Sequence, residues 1–154
     1  MEYGLTPLSV AKTMSGLEWL RGMIAGRFPA PPISRAMNFT LAEAEEGYAL
    51  FTGTPLFDFY NPIGSVHGGW VATLLDSCMG CAVQTHIKPG FGYTSLEIKV
   101  NFVRPVLDTT GPMRAEGRSL YTGNRTATAE GKLLDAKGRL FAHGTTTCLV
   151  FPLP

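Results

Sequence analysis

The stretch that most restricts what this chain can become is "GWVATLLDSCMGCAVQTH", from Gly69 to about His86. It is long enough for a helix and apolar on nearly every side, with a single carboxylate, Asp76. A helix of that make-up cannot rest on a surface with half its circumference in water; other elements have to cover it on most sides. The remainder of the chain must therefore wrap this segment. His67-Gly68-Gly69 opens it and "KPGFG" stops it.

The flanking sequence supplies strands for such a wrap. "YTSLEIKVNFVRP" alternates, which predicts a strand with Leu96, Ile98, Val100 and Phe102 on one face and Glu97, Lys99 and Asn101 on the other. "MRAEGRSLYT", "RTATAEGKLLD" and "RLFAHGTTTCLVF" read as three further strands, separated by Gly123-Asn124 and by "DAKG". Upstream, "MNFTLAEAEEGYALFTGTP" reads as two short strands around Glu45-Glu46-Gly47, and Pro55 to Gly64 as a loop. Val10, Met14, Leu17, Leu20, Met23 and Ile24 recur near helical spacing, predicting one N-terminal helix that ends at "PAPPI".

The order is then helix, two strands, buried helix, four hairpin-connected strands. It predicts an α+β fold in which one antiparallel sheet curves round one apolar helix. At 154 residues the chain is expected to form one domain, with a helical extension over residues 1–30 and a core over 36–150.

Charge narrows the function. Lys and Arg total 13 against 12 for Asp and Glu, so no basic footprint marks a nucleic-acid or membrane-surface protein. No run approaches the roughly 18 apolar residues of a membrane span. The N-terminus lacks the basic and apolar regions of an export signal, and the three cysteines are an odd count, so a reduced cytoplasmic protein is expected. The three histidines are too scattered to suggest a metal site. Cys78-x-x-Cys81 falls inside the helix rather than at its N-terminus, where thiol pKa values are lowered, and reads as a small-residue packing face with Gly80 and Ala82.

Two features carry chemistry. A helix N-terminus offers unpaired N–H groups and a partial positive charge, and glycines let another group approach them. His67-Gly68-Gly69 thus suits an oxyanion, although the same glycines also serve a plain tight turn. Asp76 is an acid in apolar company, which suits a functional carboxylate or one satisfied by Thr73, Ser77 or a neighbouring strand. Eight residues separate Gly68 from Asp76, about 12 Å along a helix axis. A water activated by Asp76 must attack a carbonyl within roughly 3.5 Å. One helix cannot serve both ends of that reaction. If both groups act, two antiparallel copies of the helix must share two sites in a two-fold dimer.

The pattern Asn61-x-x-Gly64-x-x-His67-Gly68-Gly69, with Asp76 beyond it and the later "VNFVRP" and "AHGTTT" segments, resembles the hotdog-fold acyl-CoA thioesterases, in particular the PaaI-like (phenylacetate-pathway) subgroup. The resemblance covers roughly residues 36–150. It implies a hotdog fold and hydrolysis of an acyl-CoA, with coenzyme A present only as part of the substrate and no metal or other cofactor. It implies that the Gly68 N–H and the Asn61 amide polarise the thioester carbonyl. The Asp76 of the partner would be general base or nucleophile, and Ser95 would orient the water or the acid. His67 and Gly69 would shape the substrate-binding turn. It further implies a homodimer, commonly paired again into a tetramer.

Strict alternation aims Ser95 with Glu97 and Lys99, away from Leu96; a bulge would re-aim it, and Thr94 is its local competitor. Arg104, Arg125 and Lys132 are candidates for the coenzyme A nucleotide. The competing expectations are a hotdog-fold hydratase or dehydratase and a non-catalytic acyl-CoA-binding protein.

Overall fold

The computed structural model describes all residues, Met1–Pro154. The chain begins with three helices, α1 (Leu8–Ala11), α2 (Gly16–Ile24) and α3 (Pro32–Ala36). Strands β1 (Phe39–Glu45) and β2 (Tyr48–Gly53) follow, then α4 (Gly68–Gln84), and then β3 (Phe91–Phe102), β4 (Met113–Thr122), β5 (Thr126–Asp135) and β6 (Leu140–Pro152). All six strands join one antiparallel sheet, ordered β1-β2-β4-β5-β6-β3, that packs around α4. This is the expected hotdog arrangement. No helix is long and apolar enough to cross a membrane.

The sheet holds α4 from most sides, as its composition requires. Trp70, Leu74, Leu75, Cys78, Met79 and Val83 are fully buried, and each large side chain among them contributes about 1.5–3 kcal/mol of apolar transfer. Three glycines stand directly opposite one another on adjacent strands: Gly117 faces Gly131, and Gly131 faces Gly144. A Cβ on Gly117 would lie 2.1 Å from the Cys78 carbonyl oxygen, and one on Gly131 would lie 2.8 Å from Met79 Cγ. The row forms a trough that takes the α4 backbone at Gly117 and the Met79 and Cys78 side chains at Gly131, so the sheet comes close to the helix there.

Three expectations need correction. The predicted single N-terminal helix is two, because the sequence restarts it at Ser15. The Ser15 hydroxyl accepts from Glu18 N–H while the Glu18 carboxylate accepts from Ser15 N–H at 2.8 Å, a reciprocal capping box. The proline run read as a breaker carries the short helix α3, with Pro32 in the first turn where its missing N–H is harmless. The last four strands are not all joined by hairpins: β3 pairs with β6 at the sheet edge, and β4 lies beside β2. The link from Val103 to Pro112 contains two prolines and a 3-10 turn at Asp108–Thr110. It is too long for a tight hairpin and crosses the end of the sheet instead.

Candidate active site

The N-terminus of α4 is built by its own first residues. His67 is the cap, and its Nδ1 accepts a hydrogen bond from Gly69 N–H at 2.8 Å. The imidazole lies so close over Gly69 that a Cβ there would sit 2.9 Å from Nδ1. Gly68 is tight for another reason: a Cβ would meet the Phe102 ring at 3.0 Å. The two glycines therefore do different work, one under the cap and one under β3. Because His67 occupies the Gly69 N–H, the Gly68 N–H is the donor left without a partner at the helix start.

Gly68 lines a cleft of about 370 Å³ together with Asn61, Val71, Phe102 and Arg104. Asn61 is held by its own loop. Its Oδ1 accepts from Ile63 N–H and Ser65 N–H, and its Nδ2 donates to Ser65 Oγ at 3.1 Å. One Nδ2 hydrogen remains for a ligand in the cleft. The Arg104 guanidinium donates to the Leu140 carbonyl, which fixes a positive charge at the rim. Of the three basic residues considered for the nucleotide, Arg104 alone lines this cleft. Lys132 is exposed on β5, and Arg125 lies in the β4–β5 turn.

Asp76 sits half-buried on α4, on the side toward β3, and Ser95 Oγ–H donates to its Oδ1 at 2.8 Å. Regular alternation would not allow that contact. The β3–β6 register slips between Ser95 and Glu97, where Leu96 is the additional residue. Before the slip Tyr93 and Ser95 stand opposite Val150 and Cys148; after it Ile98, Val100 and Phe102 stand opposite Thr146, Gly144 and Ala142, on that same side of the sheet, although Ile98 and Phe102 stay exposed at this edge. Leu96 does not share a face with Ile98, as the alternation had suggested, and is 59% exposed. A β-bulge thus turns Ser95 inward.

The bulge has its own support. Thr146, only 2% exposed, donates its hydroxyl to the Glu97 carbonyl at 2.8 Å, a side-chain tie directly beside the slip. Nothing in the local sequence marked this residue; the signal would have been a buried Thr in register with a strand suspected of bulging. Thr146→Val keeps the shape and removes the donor. Its expected outcome is a looser Ser95–Asp76 contact, with turnover that depends on that contact falling roughly 10- to 100-fold. Thr146→Ser restores most of it. Steady-state kinetics of the pair, with circular dichroism to verify folding, checks this.

Tyr93 is a second residue that local reading passed over. Its ring fills the notch at Gly80, one turn beyond Asp76, so closely that a Cβ on Gly80 would lie 2.4 Å from the phenol oxygen. Burial pushes that phenol well above its ordinary pKa. The two helix cysteines are also held protonated. Burial raises Cys78, whose Sγ–H donates to the Leu75 carbonyl, and raises Cys81 to about 12, with the Asp76 charge adding to the effect. Thiols kept in that form are poor nucleophiles and poor redox groups.

The structure therefore brings together Asn61, Gly68 and Arg104 at one end of α4, and Asp76, Ser95 and Tyr93 farther along it. It does not bring the two groups together within one chain, since about 12 Å of helix separates Gly68 from Asp76. Trp70 is a core residue, its Nε1–H donating to the Met37 carbonyl, and Phe57 is exposed beside Tyr60.

Residues 63–142 match the family model described as Thioesterase superfamily. No curated protein sequence matches the chain. Among solved structures, a phenylacetic acid degradation-related protein from Ralstonia eutropha is 24% identical, covers 85% of this chain and 98% of its own, and superposes with a TM-score of 0.77. A conserved protein from Pseudomonas aeruginosa is 26% identical over 78% of this chain and 94% of its own, with a TM-score of 0.72. A hypothetical thioesterase protein with coenzyme A, from Streptococcus pneumoniae, is 22% identical over 75% and 87%, with a TM-score of 0.66.

Proposed function

The chain belongs to the thioesterase superfamily and is a thioester hydrolase, and on that footing we propose that it hydrolyses an acyl-CoA to a carboxylic acid and free coenzyme A. The observation that carries this reading is the 2.8 Å hydrogen bond from Ser95 to Asp76, which leaves the second carboxylate oxygen free to take a proton from water. The coenzyme A in the Streptococcus pneumoniae structure supports the choice of thioester.

The enzyme works as a two-fold dimer. Strand β3 is a twelve-residue sheet edge with Leu96, Ile98 and Phe102 exposed. Such an edge invites pairing with another chain. Antiparallel pairing of β3 with its partner copy sets the Gly68 cleft of one protomer against the partner's Asp76, and dimers pair again into a tetramer. The thioester carbonyl oxygen accepts from the Gly68 N–H and the Asn61 amide. The partner's Asp76 removes a proton from water as the water oxygen bonds to the carbonyl carbon. The oxyanion then collapses, the C–S bond breaks, and the coenzyme A thiolate leaves and takes up a proton. His67 holds the helix start and transfers no proton in this scheme. Direct attack by Asp76 would pass through an anhydride, and water that opens it at the Asp76 carbonyl carbon labels the Asp76 carboxylate in a single turnover in ¹⁸O-water, which the general-base route cannot do.

Thiol release across short, medium, long and aromatic acyl-CoAs tests the reading. Release of coenzyme A with at least one acyl class supports it. Binding without release would point instead to a non-catalytic acyl-CoA protein, and addition of water to an enoyl-CoA without thiol release to a hydratase.

A further inference from the structure

A second cleft, of about 420 Å³, opens beside Ser95 on the side of α4 away from Gly68. That volume falls in the roughly 300–1,000 Å³ range of small-molecule sites. Its inner wall is Tyr93, Ser95 and Gln84; its outer walls are Leu8 and Trp19 from the N-terminal helices and Phe151 and Leu153 from the end of β6. None of its lining residues carries a charge. Leu8, Trp19, Phe151 and Leu153 all lie outside the span of 63–142 matched by the family model.

The walls are fixed in place. Trp19 donates its Nε1–H to Thr6 Oγ1 at 3.1 Å, which satisfies the only polar atom of the indole within the N-terminal segment. Gly16 of α2 meets the last turn of α4 so closely that a Cβ would lie 1.9 Å from the Gln84 carbonyl oxygen. The turn after α4 fastens both outer walls: Gly90 N–H donates to the Lys12 carbonyl, and Leu153 N–H donates to the Gly90 carbonyl, each at 2.8 Å.

We propose that this cleft is the acyl pocket, that Trp19 and Leu153 set its depth, and that the substrate class is acyl-CoA with an uncharged apolar acyl group of medium length or aryl character. The proposal rests on the thioesterase reading given above. The water activated by Asp76 must lie within roughly 3.5 Å of the thioester carbon. Ser95 holds Asp76 and also lines this cleft, so the chain leaving that carbon, opposite the coenzyme A, enters here. The coenzyme A runs the other way, toward the partner's Gly68 and Arg104. A dicarboxylic acyl group would set its second charge against Trp19, Tyr93 and Leu153, which offer it no counter-ion, Lys12 beyond them having its ammonium on the Pro154 carbonyl.

The test is kcat/KM with butyryl-, octanoyl-, palmitoyl-, phenylacetyl- and succinyl-CoA for the full chain, Trp19→Ala and Leu153→Trp. The wild type favours octanoyl or phenylacetyl over succinyl. Trp19→Ala raises the palmitoyl-to-octanoyl ratio roughly 10-fold, and Leu153→Trp lowers the octanoyl-to-butyryl ratio by a similar factor. Calorimetric binding of the thioethers S-butyl-, S-octyl- and S-hexadecyl-CoA reads the same ratios without turnover. Unchanged ratios in both variants, or a preference for succinyl-CoA, overturn the pocket. Wild-type protein that binds the thioethers with these shifts yet releases no thiol would overturn the hydrolase chemistry and leave the pocket standing. Leu153→Trp fills space from the opposite wall, so it decides the matter even if Trp19→Ala fails to fold.

Discussion

Asp76→Asn is expected to lower acyl-CoA hydrolysis by roughly 10²- to 10⁴-fold while leaving the fold and the oligomer unchanged. Asn fills the same volume and still accepts from Ser95 through its Oδ1, so the 2.8 Å contact to β3 has no reason to break. What it cannot do is take a proton from water. Near-normal turnover by an Asn variant of an active enzyme would remove Asp76 from the mechanism. The same variant also tests the shared site. Two differently tagged chains, one Asp76→Asn and one Gly68→Val, are each inactive alone, the second because its side chain collides with the Phe102 ring. In the mixed dimer one site combines the intact Gly68 of the first chain with the intact Asp76 of the second. Recovery of close to half the wild-type activity in the purified mixed dimer is the expected result. If each chain held a complete site of its own, mixing would recover nothing.

The largest effect on stability is expected at Gly117. Alanine there places a methyl group 2.1 Å from the Cys78 carbonyl oxygen, and the obstacle is helix backbone that cannot rotate away. Either α4 lifts from the trough or the sheet flattens; both open the packing around Cys78 and Met79. Overpacking of this kind costs about 3 kcal/mol or more, which in a domain of this size lowers Tm by about 10 °C. Gly131→Ala, directly opposite, is the informative comparison. Its nearest atom is the flexible Met79 side chain, so the loss there is expected to be clearly smaller. Equal losses at the two positions would mean that glycine matters in this row for its backbone freedom and not for the approach of the helix.

The parts of this structure that were legible beforehand are those written in local periodicity. The apolar circumference of α4 demanded a covering sheet, and the alternation around Val100 announced a strand. The spacing from Gly68 to Asp76 already meant that, if both groups act, they cannot meet on one substrate within one chain. What escaped depends on partners distant in sequence. The place of β3 beside β6 follows from which strand edges remain free once β4 and β5 have paired, a property of the whole sheet. The inward turn of Ser95 is tied down by Thr146, some fifty residues later, whose hydroxyl donates to the Glu97 carbonyl beside the bulge. The division of labour between Gly68 and Gly69 needs Phe102 on one side and the imidazole of His67 on the other. The break at Ser15 is different: the Ser-x-x-Glu signature was present locally, and the hydrophobic spacing across it outweighed it.

The extra residue in β3 separates two kinds of change that an ordinary strand would tie together. On either side of Leu96 the side chains run in opposite phase, so Tyr93 and Ser95 belong to one pattern and Ile98, Val100 and Phe102 to another. Substitutions in the second half can retune how the edge associates without rotating the residue that grips the acid. Loss of the single extra residue would do the reverse: composition would scarcely alter, while the hydroxyl would swing to the outer face and Asp76 would lose its partner.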